Sequence, residues 1–370
     1  MSEPSFEIGI EEEYQLVDLE SRQLTSYITH ILEDGEMVLR DQLKPELHQS
    51  IVEVGTEVCR DIGEAREELI RLRRTVIELA ESNGLRIVAA GTHPFTSWET
   101  QEITPMERYL GLKKDLRLLA DRLLIFGTHV HIGIRDREFR IAALNGCRYF
   151  LPHLLCLSTS SPFWRGRDTG LKSYRTMAFR SFPRTGLPPV LRSWDDYEGQ
   201  IQELIETNCV PDGTKIWWDA RPNWNYPTLE IRISDVCTRI EETLCVAALV
   251  QALVYRLWEL YRRGLSLRSY PDLLLQENKW RAARYGLDHR LVDFNHGREV
   301  QADEAIGELV EGFLGDAPDE LGSRDEVDYA DRILEEGTSA DRQLAVYEET
   351  GDLDAVVDRL VEETAEGVTT

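Results

Sequence analysis

Three short stretches of this chain alternate apolar residues with acidic or imidazole ones, and no other feature restricts its fold as much. In FEIGIEEEYQLV, Phe6, Ile8 and Ile10 point one way while Glu7, Gly9, Glu11 and Glu13 point the other. Side chains on a strand alternate between faces with a period of two, so this is a strand with one apolar and one acidic face. Glu12 falls on the apolar side, with Ile10, Tyr14 and Leu16. LLIFGTHVHIGI repeats the pattern: Phe126, Val130, Ile132 and Ile134 oppose Gly127, His129, His131 and Gly133. PTLEIRISD gives it a third time, with Leu229, Ile231 and Ile233 against Thr228, Glu230, Arg232 and Ser234.

Helical periods lie between these strands. Residues 63–82 place Leu69, Ile70, Leu72, Val76, Ile77 and Leu79 on the apolar side of a helix that Asn83-Gly84 ends. Residues 138–160 and 239–264 read as apolar helices of the core. LRIVAAGTHP and TKIWWDAR read as further strands, and 161–195, rich in Pro, Arg, Gly and Trp, as a long functional loop. The mixture predicts an α+β fold with an antiparallel sheet, helices covering one face and the other left open.

Charge excludes several partners. The 370 residues carry 67 acidic and 42 basic side chains, a net charge of -25, and only six of the basic residues are lysine. Such a surface repels nucleic acid and anionic membranes. No apolar run approaches the roughly 20 residues that span a bilayer, and the first residues lack a signal peptide's basic and apolar regions. The acidic, lysine-poor balance points to a halophilic, cytoplasmic protein, whose self-repulsion is screened by molar salt. Six cysteines with no CxxC pair predict reduced thiols rather than a disulfide framework or a structural zinc. The acidity is concentrated late: residues 301–370 hold 22 acidic side chains against four arginines. Apolar residues still recur there at helical spacing, as in Ile306, Leu309, Val310 and Phe313, or Leu344 with Tyr347, or Leu353, Val356, Val357 and Leu360. Residues 1–298 are therefore read as the catalytic domain, and 299–370 as an acidic helical C-terminal extension packed on it.

Chemistry lies on the open faces of the strands. Glu11 and Glu13 sit about 7 Å apart along one strand, and paired carboxylates repel unless a cation lies between them. One such pair is an ordinary solvated sheet face. Its recurrence as His129 with His131 and as Glu230 with Arg232 favours an assembled metal site, and oxygen donors with an imidazole suit Mg²⁺ or Mn²⁺ better than zinc.

In order along the chain, GIEEEY, ELHQSIVEVGT, THVHIG, LSTSSPFW, TLEIRISD and ENKWRAARYGL resemble the type 2 glutamate–cysteine ligases, and more narrowly their carboxylate–amine ligase branch. The resemblance runs from about residue 6 to 290 and implies the catalytic fold of glutamine synthetase, with an antiparallel sheet forming a funnel around divalent ions. It implies ATP as co-substrate, L-glutamate and L-cysteine as small-molecule substrates, and a γ-glutamyl phosphate intermediate on the way to γ-glutamylcysteine, the first product of thiol biosynthesis. Phosphoryl transfer is mostly positioning and charge neutralisation, which a cluster of Mg²⁺-binding carboxylates serves. The implied metal ligands are Glu11, Glu13, Glu46, Glu53, His131 (with His129 its alternative) and Glu230. Seven residues separate Glu46 from Glu53, which places Glu46 in a loop or bulge before Glu53's strand. Arg232 and Glu53 are the implied catalytic residues, Arg232 holding the transferring phosphate. Lys279, Arg281 and Arg284 either add nucleotide-phosphate contacts or form an exposed basic helix face. Arg165, Arg167, Arg175 and Arg180 are all candidates for the glutamate α-carboxylate. The chain has neither a P-loop nor a GxGxxG fingerprint, and the family holds phosphate through metals instead. A different amine acceptor, or a metal-dependent hydrolase on the same face, are the other readings, and a homo-oligomer is compatible with all of them.

Overall fold

The computed structural model describes residues 4–28, 31, 39 and 42–369. Its centre is β1 (Ile8–Asp18), an eleven-residue strand paired with β3 (Ile51–Gly55), β4 (Leu85–Val88) and β5 (Thr128–Gly133), with β2 (Leu43–Pro45) on the far side of β3. With β6 (Ala220–Pro222) and β7 (Thr228–Ile231) they form one antiparallel sheet in the order β6-β7-β5-β1-β3-β2, with β4 pairing the far half of β1. One face buries Ile8, Ile10, Tyr14, Leu16, Val130, Ile132, Leu229 and Ile231. Against it pack α1 (Ile62–Ser82), α2 (Arg137–Cys147) and α3 (Ile240–Arg262). The α+β architecture read from the periods of two and 3.6 is the one observed.

Helix α1 starts where Asp61 accepts a hydrogen bond from Glu64 N and stops at Asn83, followed by Gly84 at φ +72°. Helix α3 is long and apolar enough to cross a bilayer by length and composition alone, contrary to the expectation from run length, but most of its apolar side chains are buried inside the protein. The expected helix 138–160 is two: after α2 the chain breaks, and Leu151–Leu157 begins anew with Pro152 in its first turn. The expected loop 161–195 contains a helix, Tyr174–Arg180, which Ser173 caps by accepting from Thr176 N. TKIWWDAR is not one strand. Gly213–Lys215 is a 3₁₀ turn, Trp217–Trp218 pairs in parallel with Thr185–Gly186, and Asp219 interrupts before β6. The break occurs where the Asp219 carboxylate turns aside to take Lys279 Nζ at 2.7 Å.

Residues Arg298–Gln301 form a hairpin with Arg290–Asp293, so the acidic helices begin at Ala302 rather than 299. Of the last three, α4 (Arg324–Glu336), α5 (Ser339–Thr350) and α6 (Leu353–Ala365), α4 packs on α3 and α6 on β4. Ile306, Leu309, Val356, Val357 and Leu360 are buried as their spacing predicts. All six cysteines are free thiols, five of them buried.

Candidate active site

Register decides which side chains meet on the other face. Glu13 lies opposite Glu53, which lies opposite Lys44; Glu11 lies opposite His129; Glu230 lies between His131 and Arg221. Antiparallel pairing thus turns three sequence-distant stretches into parallel rows of charge. The rows floor a cavity of about 800 Å³, walled by segments around 106–112, 175–182 and 212–226. Glu46, as its spacing required, follows β2 in the connection to β3, where its carboxylate accepts from Leu47 N. All five glutamates line this cavity, together with His129, Arg175 and Arg232.

Two groups of carboxylates result. In the first, donor atoms of Glu11, His131 and Glu230 all lie within 4.8 Å of one another. Among the described residues His131 Nε2 is buried without a hydrogen-bond partner, and it stands 3.6 Å from Glu11 Oε2. Burial raises the Glu11 carboxyl, but the neighbouring imidazoles of His129 and His131 more than reverse this and hold it well below the usual carboxylate range. Burial likewise acts upward on Glu230 and is overcome by Arg232, His131 and Arg221. Arg221 Nε (2.8 Å) and Asn223 Nδ2 (2.7 Å) both donate to Glu230 Oε2, and Arg232 pairs with Oε1. Burial and Arg232 push His129 down to about 3, so it is neutral.

The second group is Glu13, Glu46 and Glu53. Burial pushes the Glu13 carboxyl up to about 7 against the pull of Arg175, although Gly127 N donates to Glu13 Oε2 at 2.7 Å. Burial and then Glu13 raise Glu46; burial, Glu11 and Glu46 raise Glu53 well above its ordinary value. Buried carboxylates crowded in this way take up protons or a cation. An orphaned imidazole nitrogen beside ionised carboxylates, next to a second oxygen-rich cluster, fits hard divalent ions such as Mg²⁺ or Mn²⁺.

A pH effect follows. The unfolded Glu13 carboxyl ionises near 4.5 and the folded one near 7. Its contribution to stability is therefore complete below about pH 4.5 and is lost as pH rises through 7. EDTA-treated protein should lose several degrees of Tm between about pH 5 and pH 8, Mn²⁺ should restore them, and Glu13→Gln should flatten the slope. A Tm that climbs over that range in the wild type would contradict this.

Other expected residues lie elsewhere. Lys279 is buried in its pair with Asp219, Arg281 binds Glu277 and Glu299 at the surface, and Arg284 lies over the Tyr285 ring, so none of the three lines the cavity. Of the loop arginines, Arg165 pairs with Glu99 outside, while Arg175 alone reaches the cavity. Arg175 can do so because residue 127 is glycine: a Cβ there would lie 2.2 Å from Arg175 Nη2. Sequence reasoning missed Arg221, Asn223 and Lys44. Pairing 220–222 with 229–231 about the turn PNWNYP would have put Arg221 opposite Glu230.

Grouped carboxylates and an imidazole, flanked by arginines on an antiparallel sheet, make a centre suited to divalent cations and phosphate groups. The chain belongs to glutamate–cysteine ligase family 2, whose family model matches residues 7–359 and so extends through most of the acidic helices. It is 55% identical over 363 residues to a protein of Herpetosiphon aurantiacus named "Putative glutamate–cysteine ligase 2", covering 98% of this chain and 94% of that one. A Sorangium cellulosum protein of the same name is 50% identical over 98% of this chain and 97% of its own. The fold is similar to that of Francisella tularensis glutamate–cysteine ligase in complex with AMP, at a TM-score of 0.74 and 13% identity over 99% of this chain and 90% of that chain. It is also similar to a bifunctional glutathione synthetase from Pasteurella multocida, at a TM-score of 0.69 and 14% identity over 97% of this chain and 51% of that one.

Proposed function

We propose that this enzyme uses ATP and Mg²⁺ to join the γ-carboxylate of L-glutamate to the amine of L-cysteine, giving γ-glutamylcysteine, in the cytoplasm. The observation that carries the reading is the convergence of Glu11, His131 and Glu230 within 4.8 Å, beside Arg221 and Arg232 and the Glu13–Glu46–Glu53 cluster. Glu11, His131 and Glu230 would hold one divalent ion, and Glu13, Glu46 and Glu53 would supply ligands for others. Bound Mg²⁺ would neutralise charge on the nucleotide phosphates. Arg232, with its planar fork already fixed by Glu230, orients the transferring phosphoryl group against the glutamate carboxylate. Attack of the carboxylate oxygen on the γ-phosphorus releases ADP and leaves γ-glutamyl phosphate. The acceptor amine then displaces phosphate, forming the amide. Its ammonium must first lose a proton, and Glu53, whose carboxyl burial, Glu11 and Glu46 raise, would take it through an oxygen not engaged by a cation. Arg175, a buried cation on the cavity wall, suits the glutamate α-carboxylate.

Phosphate release measured with MgATP, L-glutamate and a panel of amines tests this. Turnover should need ATP, glutamate and cysteine together and stop with EDTA. Turnover without ATP would favour a hydrolase, and turnover only with another amine would keep the ligase and replace its acceptor. The net charge of -25 adds a salt prediction. Activity and cooperative unfolding should fail below roughly 0.5 M KCl, as the Debye length grows from about 3 Å at 1 M to about 10 Å at 0.1 M. Full activity held for hours in dilute buffer would refute a halophilic surface.

A further inference from the structure

The turn between β6 and β7 joins the carboxylate set to the cavity mouth. Asn223 Nδ2 donates to Glu230, while Asn223 Oδ1 accepts from Asn225 N (2.9 Å) and Tyr226 N (3.0 Å), which fixes the turn from within. Between them Trp224 stands at the mouth, lining the cavity yet 41% exposed. An indole is normally a large contribution to a core. Here it is held in place outside the core by a specific contact. A Cβ on Gly213 would lie 2.2 Å from Trp224 Cε3 and 2.6 Å from Cδ2, so the ring rests where only glycine leaves room. One side of the indole is backed by protein while much of it still meets solvent.

Two cations line the same cavity. Arg108 lies over the Tyr109 ring and Lys215 lies 5.9 Å from the Trp217 ring centroid, and neither makes an ion pair among the described residues. Burial, then the neighbouring Arg108, holds the Lys215 ammonium below its ordinary value. Asp212 and Asp115 act on Lys215, and Arg108 acts on Glu46, but only at a distance, and like charges held near one another without an ion-paired acid suit an incoming polyanion. Neither glutamate nor cysteine has a ring to lie on Trp224, whereas a nucleotide brings both a planar base and a polyphosphate. Stacking on an aromatic side chain is available to every base.

We propose that Trp224 is the platform on which the base of the nucleotide substrate stacks, at the outer end of a polyphosphate path that runs past Arg108 and Lys215 to Arg221 and Arg232. This rests on the ATP-dependent reading above. The test is calorimetric binding of MgADP to the full chain, with KM measured separately for ATP, glutamate and cysteine. Trp224→Ala should weaken MgADP binding and raise KM for ATP about tenfold, while KM for glutamate stays within twofold. Trp224→Phe, which keeps a ring, should recover most of the affinity. Gly213→Ala should mimic Trp224→Ala by displacing the indole. Wild-type MgADP affinity in Trp224→Ala, or a rise confined to KM for cysteine, would overturn the stacking while leaving the ligase reading intact. A wild-type chain that neither binds MgADP nor turns over ATP would remove both.

Discussion

Glu11→Gln and Glu230→Gln should each cut ligase turnover by two or more orders of magnitude, because each removes a negative oxygen from a site built for a hard cation. The two losses should differ in kind. Glu11 meets two imidazoles and, at 3.7 Å, Lys44, so its glutamine variant should fold as the wild type does and regain part of its activity at high Mn²⁺. Glu230 is the acidic partner between Arg221 and Arg232, so its loss also leaves two guanidinium groups facing each other across an uncharged amide. Its variant should lose Tm as well as activity, and Mn²⁺ should restore little. Thermal melts beside turnover assays read both effects. An active Glu11→Gln would mean that the acidic face does not carry the cation.

Arg73→Met should be among the most damaging substitutions to stability in this fold, although Arg73 does not line the cavity. Arg73 and Glu12 are both fully buried, with Nη2 2.6 Å from Glu12 Oε1. Thr243 Oγ1 donates to the same carboxylate oxygen at 2.6 Å, Tyr14 OH to the other oxygen, and Arg73 Nη1 donates to Thr238 O at 2.7 Å. This network lies under the acidic face and ties β1 to α1 and to the start of α3. Removing one partner leaves a buried charge uncompensated, at a cost of roughly 3–5 kcal/mol. Glu12→Gln should show the same fall in stability with less than a tenfold loss of turnover. The double variant should be less destabilised than the two single effects added together. Urea unfolding measures all three. A Glu12→Gln enzyme as inactive as Glu11→Gln but unchanged in stability would mean that β1 is out of register.

The contrast among Glu11, Glu12 and Glu13 was legible because the period of two admits one assignment once Ile8 and Ile10 are inside. Alternation likewise put His131 and Glu230 on the open face, whereas Glu46 and Glu53 came from the family resemblance alone. Partners set by pairing were harder to see. Lys44 and Arg221 become neighbours of Glu53 and Glu230 only through the registers of β2 with β3 and β6 with β7. Arg73 sits on an otherwise amphipathic helix, where an arginine ordinarily faces water; nothing local reveals that it opposes Glu12. Lys279 shows a placement that charge alone does not predict. Its charge suited phosphate, but the rotation of its helix turns it toward Asp219, and that choice belongs to tertiary packing. The helix Tyr174–Arg180 was obscured by flanking glycine and proline, and with it the selection of Arg175 over its three neighbours.

As proposed above, this acidic sheet face activates a carboxylate by phosphorylation. The most direct measurement follows oxygen. Glutamate labelled with heavy oxygen in its γ-carboxylate is incubated with the enzyme, MgATP and cysteine, and the released inorganic phosphate is analysed by mass spectrometry. If the carboxylate attacks the γ-phosphorus and the amine then displaces phosphate, one labelled oxygen leaves glutamate and appears in each phosphate formed. Amide formation accompanied by phosphate that carries none of the label would contradict the account.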